Sequence, residues 1–173
     1  AGPLRGVRAA TAAGLPSLVP AYRNTLDGER QGRGRSHLGA TEGADLREAL
    51  ARLRGEGAER FVLFGWSMGA QLCLAAAVDP EWAPRIDRIV LDSPVLDWRA
   101  VLAANVARAR LPRAAARGAE AWLGHPRRAR GLGLDAPIDL DALDGVRRAS
   151  EVAQPVLVHH GLRDWSVPIA ASR

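Results

Sequence analysis

The chain has no lysine, one cysteine, one methionine, one tyrosine and two phenylalanines among its 173 residues. Each scarcity excludes something. A single cysteine, Cys73, closes no internal disulfide, and without a Cys/His cluster no zinc-type metal site is encoded. Cys73 lies in Leu72-Cys73-Leu74-Ala75, where a small buried hydrophobe is the expected role. Aromatic residues are 5% of the chain and do not interleave with the basic ones, so the stacking platform of a single-strand nucleic-acid binder is missing. The apolar runs fall short of the ~20 residues needed to span a bilayer as a helix. No charged segment followed by an apolar one opens the sequence at Ala1, so no signal peptide is visible. The expectation is a cytoplasmic protein with no membrane partner, whose natural start lies upstream of Ala1.

Arginine is what the chain has in excess. All 24 basic residues are arginine, against 19 acidic ones, for a formal net charge of +5. Only Arg127, Arg128 and Arg130 form a tight cluster. In a chain dense with alanine and glycine, this reads as the codon usage of a GC-rich genome, and nucleic acid is not expected as a partner. Hydrophobic residues at 47% and charged residues at 25% fit one globular domain with a real core.

Along the chain, strand-like and helix-like segments alternate, the pattern of a parallel sheet covered on both faces. Leu4 to Ala13 read as a helix and Leu15 to Tyr22 as a strand near a sheet edge, given Pro16 and Pro20. A polar, glycine-rich loop runs from Arg23 to Gly39, and Thr41 is the expected N-cap of a helix through Arg54. Arg60 to Phe64, Ile86 to Leu91 and Pro155 to His159 read as further strands. Residues 99–150 are mostly helical in pattern, a large insertion between two strands and a natural cap over a site.

The strongest motif is Gly65-Trp66-Ser67-Met68-Gly69, set between the apolar run Phe61 to Phe64 and a helical run from Gln71 to Val78. Gly-x-Ser-x-Gly at a strand-to-helix turn is a nucleophile elbow, which lifts a serine hydroxyl clear of the backbone at a helix N-terminus. With Tyr22-Arg23-Asn24, Leu91-Asp92-Ser93-Pro94 and the stretch from His160 to Pro168, the chain resembles the α/β-hydrolase family, its serine esterase- and peptidase-like members in particular.

The resemblance implies a three-layer αβα sandwich with a mostly parallel sheet, its core in residues 1–98 and 151–173 and a helical cap in 99–150. It implies an acyl-serine reaction on a small-molecule or peptide acyl substrate (an ester, a thioester or a peptide), with no metal or organic cofactor. Ser67 takes the nucleophile's place, the Met68 N–H half of the oxyanion hole, and Asp164 the acid's place, with Asp92 the alternative acid. The family order puts the histidine after the acid, and the nine residues after Asp164 contain none. His159 and His160 precede it and break that order. The expectation is therefore a fragment, with its oxyanion-loop strand before Leu4 and its histidine beyond Arg173, and so with little activity of its own. A non-catalytic binding protein on the same fold is the alternative.

The other candidates have bland readings. Asp92 otherwise caps the turn after its strand, and Tyr22-Arg23-Asn24 either borders the substrate or forms a packed turn. Gly32-Arg33-Gly34 lacks the spacing of a dinucleotide loop. His37 and His125 are expected in solvent. Trp66, Trp98, Trp122 and Trp165 line an apolar pocket or simply pack. Arg108, Arg110, Arg113 and Arg117 are expected to be solvated rather than to recognise an anion.

Overall fold

The computed structural model describes residues 2–172. Three parallel strands form its sheet: β1 (Phe61–Trp66), β2 (Ile86–Asp92) and β3 (Val156–His159), in the order β1-β2-β3. Their register places Trp66, Asp92 and His159 side by side at the C-terminal edge. Helix α1 (Pro3–Ala12) opens the described chain, and α2 (Gly43–Gly55) precedes β1. Helix α3 (Met68–Ala77) leaves β1 after a single residue, Ser67, which is the shortest possible strand-to-helix turn.

Burial alternates along β1 as a period-2 strand dictates. Phe61, Leu63 and Gly65 face inward, where Leu46 and Leu50 of α2 and Ala70, Leu72 and Cys73 of α3 cover them. The opposite face is half-exposed, with Gly2, just before α1, packed over Trp66 and Gly6 of α1 over Phe64. Ile89 and Leu91 of β2 are fully buried, and Trp82 meets Phe61 edge-on at 6.3 Å and 69°. All four residues of β3 are exposed. The sheet is thus open and small, with helices on both faces of β1.

Leu15 to Tyr22, expected as a strand, is not one. Pro16 and Pro20 offer no N–H, and among the described residues no strand lies beside this segment to pair with it. Its Leu15, Leu18 and Val19 side chains are exposed. Thr41 does not cap α2 either. The helix starts at Gly43 without a side-chain cap, because the local amides turn instead toward the Glu42 carboxylate.

The segment 99–150 is helical only in its first part. Helices α4 (Trp98–Arg108), α5 (Ala114–Leu123) and α6 (Pro126–Gly131) are followed by turns from 132 to 148. Asp97 caps α4 by accepting from the N–H groups of Arg99 and Ala100, and Pro126 sits in the first turn of α6, where its missing N–H costs nothing. Ala129, Leu134, Ile138 and Leu140 form a small separate core against Leu38, Trp98, Leu102, Leu123 and Leu143.

Candidate active site

Ser67 holds φ 53° and ψ −119°, outside the regions an L-residue favours. Two backbone bonds clamp it there. Its N–H donates to Asp92 O at 3.0 Å, and its carbonyl accepts from Val95 N at 3.1 Å. The end of β2 and the loop that follows it therefore grip the turn from both sides. Gly65 is required by contact: a Cβ there would lie 2.5 Å from Ala70 Cα and 2.7 Å from Ala70 N. A Cβ on Gly69 would lie 3.2 Å from the Tyr22 hydroxyl. Ser67 is half-buried, and among the described residues no side chain hydrogen-bonds to its hydroxyl. Met68 is the first residue of α3, so its N–H has no carbonyl within the helix to donate to.

Asp92 and the Asp164 loop stand at the same end of the sheet. Asp164 accepts from Ser166 N at 2.8 Å and Val167 N at 2.9 Å, so the loop folds around its own carboxylate. Partial burial pushes this carboxyl up, but those two amides, the Ser93 side chain and nearby His160 outweigh it and leave the group below its ordinary value. Asp164 is thus ionised and fixed, as a group that orients a cation must be. Val167 packs with Val95 and Val101, which seats the start of α4 on this loop. Arg108, at the other end of α4, stacks its guanidinium 4.9 Å from the exposed Trp165 ring.

Neither described histidine near Asp164 is free to serve Ser67. The His160 ring is buried; its Nδ1 lies 2.9 Å from Ser172 Oγ and its Nε2 3.1 Å from Val167 O, with Asp164 Oδ2 at 3.6 Å. Both nitrogens are occupied. His159 turns Nδ1 toward Asp92 Oδ1 at 3.2 Å on β3, two strand spacings (about 10 Å) from the strand that carries Ser67. Asp92 does not cap the following turn. Its buried carboxylate takes His159 on one oxygen and Arg5 of α1 on the other at 2.7 Å.

The remaining candidates fall into packing roles. Tyr22 packs on the main core; burial first, then the Cys73 and Asp45 charges, raise its hydroxyl to about 12. Arg23 pairs with both oxygens of Asp45, and Asn24, at φ 62°, turns the chain. Burial raises the Cys73 thiol to about 12, which removes it as a nucleophile at neutral pH. Trp98 donates to Gln71 Oε1 at 2.7 Å, whereas Trp66, Trp122 and Trp165 are exposed. His125 is exposed and accepts from Arg127 N. His37, expected in solvent, is instead buried.

Two residues near the elbow gave no signal in the sequence. Gln71, one turn into α3, is buried; it accepts from Trp98 and donates to Leu143 O, tying the helix after Ser67 to the insertion. Glu42 is fully buried and accepts from Ser36 Oγ and from the N–H groups of His37, Gly39 and Thr41. Burial pushes its carboxyl up, and these donors pull it below the ordinary value. Ser36 lies 3.8 Å from Met68 Sδ, so this knot borders the elbow.

No family model matches the chain, and no curated protein does. Solved structures do. A variant of a meta-cleavage product hydrolase (CumD) superposes on 97% of this chain with TM-score 0.55 at 17% identity, the chain covering 69% of that protein. A variant of the meta-cleavage product hydrolase from Pseudomonas fluorescens IP01, complexed with acetates, covers 89% of it with TM-score 0.50 at 16% identity, and the chain spans 64% of that protein's length. Both are α/β-hydrolase fold proteins. With parallel strands, a one-residue strand-to-helix turn at Ser67 and these superpositions together, the chain carries the α/β-hydrolase fold.

Proposed function

We propose that the protein is a serine hydrolase that transfers an acyl group to water through an acyl-serine intermediate. The observation that carries this reading is the backbone of Ser67, strained to φ 53° and ψ −119° and clamped by Asp92 and Val95. A small residue in an idle turn has no need of that geometry, whereas a nucleophile does. Ser67 attacks the acyl carbon, and the Met68 N–H, at the positive end of α3, receives the developing oxyanion. Asp164, ionised and held by two amides, orients the imidazole that takes the serine proton. Neither His159 nor His160 is placed to be that imidazole, and Asp92 is the alternative acid. Residues 99–150 act as the cap, and the substrate is an ester, thioester or peptide. The reading includes a cytoplasmic location and no nucleic-acid partner.

One observation favours a second reading, a binding protein on the same fold: both nitrogens of His160 are engaged and His159 faces Asp92. Labelling with a fluorophosphonate probe separates the two. An activated serine gives one adduct that disappears in Ser67→Ala. No adduct on the complete protein from its source overturns the hydrolase reading.

A further inference from the structure

We propose that His37 is a pH-sensitive latch between the loop 31–39 and residues 130–138 of the helical insertion, closed while its imidazole is neutral and released when it is protonated. His37 is only 3% exposed, and its Nε2 accepts a hydrogen bond from the Asp135 N–H at 3.2 Å. An acceptor at Nε2 puts the neutral ring's proton on Nδ1, and Nδ1 is buried without a hydrogen-bond partner. The closed state thus already carries an orphaned donor, which narrows its advantage over the open one. A second proton lands on Nε2 and turns it into a donor facing another donor. The one side-chain bond from His37 to the insertion is then lost.

Three other contacts share the seam and limit how far the loss of this one can open it. Along the same seam, Arg33 Nη1 donates to Arg130 O at 3.1 Å, and Gly32 lies against the Asp135 carboxylate so closely that a Cβ would meet it at 1.8 Å. Leu38, half-buried, packs against the insertion's apolar cluster at φ 59°, a conformation costly for leucine. On its other side the loop is anchored by the Glu42 carboxylate, through His37 N, Gly39 N and Ser36 Oγ. The charged groups at hand are mixed: the carboxylates of Glu42 and Asp135, and the guanidinium groups of Arg33 and Arg35, the latter packed on Gly133. From α3 the neighbour is the uncharged Gln71, against Gly39. Because Glu42 keeps the loop on the core, release frees the insertion rather than the loop. The inference does not depend on the hydrolase reading, since it concerns only how this chain holds its own insertion.

Hydrogen exchange of the 173-residue chain, corrected for the intrinsic pH dependence of the chemistry, tests it. The Asp135 amide should lose protection by up to ~10-fold between about pH 7.5 and about pH 5.5, the most that one imidazole of ordinary value can drive over that range, while α3 stays unchanged. His37→Gln, which keeps an acceptor and cannot titrate, should abolish the loss. Protection independent of pH in the wild type, or a loss that persists in His37→Gln, overturns the latch. Should the variant fail to fold, ring 15N shifts of the wild type decide. A neutral Nδ1–H tautomer that titrates together with loss of the Asp135 amide's protection supports the latch. A ring that titrates while that amide stays protected, or one that does not titrate, overturns it.

Discussion

The sheet with α2 and α3 and the insertion that follows β2 are held together by different physics. In the first, Leu72, Ile89, Leu91 and Trp82 are almost completely buried and the elbow is gripped by backbone bonds. In the second, four buried residues form the core, α4 to α6 expose most of their arginines, and α4 is joined to α5 by Arg99, which reaches Glu120 and Asp141. The elbow is thus built on the stiff part of the molecule and the insertion on the compliant part. Strain at Ser67 persists only because its surroundings over-determine it.

Substitutions can widen or erase that contrast. The largest effect is expected at the centre of β2: Ile89→Ala should cost about 4 kcal/mol of global stability, and Ile138→Ala, equally buried but in the small core, about 2 kcal/mol. Urea unfolding measures the first. Hydrogen exchange should place the second within residues 99–150, and equal global losses would erase the distinction. Gly65→Ala should cost about 3 kcal/mol, because the new methyl meets Ala70 backbone rather than a movable side chain. An unchanged unfolding midpoint would show that the elbow is looser than its geometry.

Acid sharpens the contrast from another direction. Burial pushes Asp45 up, but the Arg23 hydrogen bonds dominate and leave it below its ordinary value, as Glu42 and Asp164 also are. A carboxylate depressed in the fold stabilises above its unfolded value, near ~4, and that stability is lost as pH falls through the folded one. Stability should therefore fall between about pH 5 and about pH 2, and the fall should be shallower in Asp45→Asn. The smallest effect belongs to the insertion's surface: Arg99→Met should cost about 0.5 kcal/mol at low ionic strength, and less as salt screens its carboxylates. A loss unaffected by salt would mean that packing, not charge, holds α4 to α5.

Much of this was legible along the chain. The elbow could be read because its signals are local: glycines at fixed offsets from Ser67, with an apolar run on one side and a helical one on the other. Helix α1 to within a residue at each end, most of the strands β1 and β2 (expected as Arg60 to Phe64 and Ile86 to Leu91), and the placement of Asp164 after β3 came from the same kind of short-range pattern. Leu15 to Tyr22 looked like a strand because its composition suits one, yet a strand exists only when a neighbour supplies the other half of its hydrogen bonds. His37 beside glycine and serine looked solvated, and Thr41 looked like a cap. Both readings failed because the Glu42 carboxylate, unremarkable in the sequence, gathers the amides of its own loop.

By itself, the sequence determined the turn. Gly65, Ser67 and Gly69 specify a backbone path that bulkier neighbours cannot follow, because the limits are steric and lie within a few residues. Only the tertiary structure decided who holds that turn and what surrounds it. Asp92 and Val95 clamp Ser67, both His160 nitrogens are spent within its own loop, and His37 reaches across to Asp135. Asp92, Val95 and Asp135 lie far along the chain from the residues they hold, and hydrogen bonding at 3 Å is set by where the chain returns in space, not by the order in which residues occur.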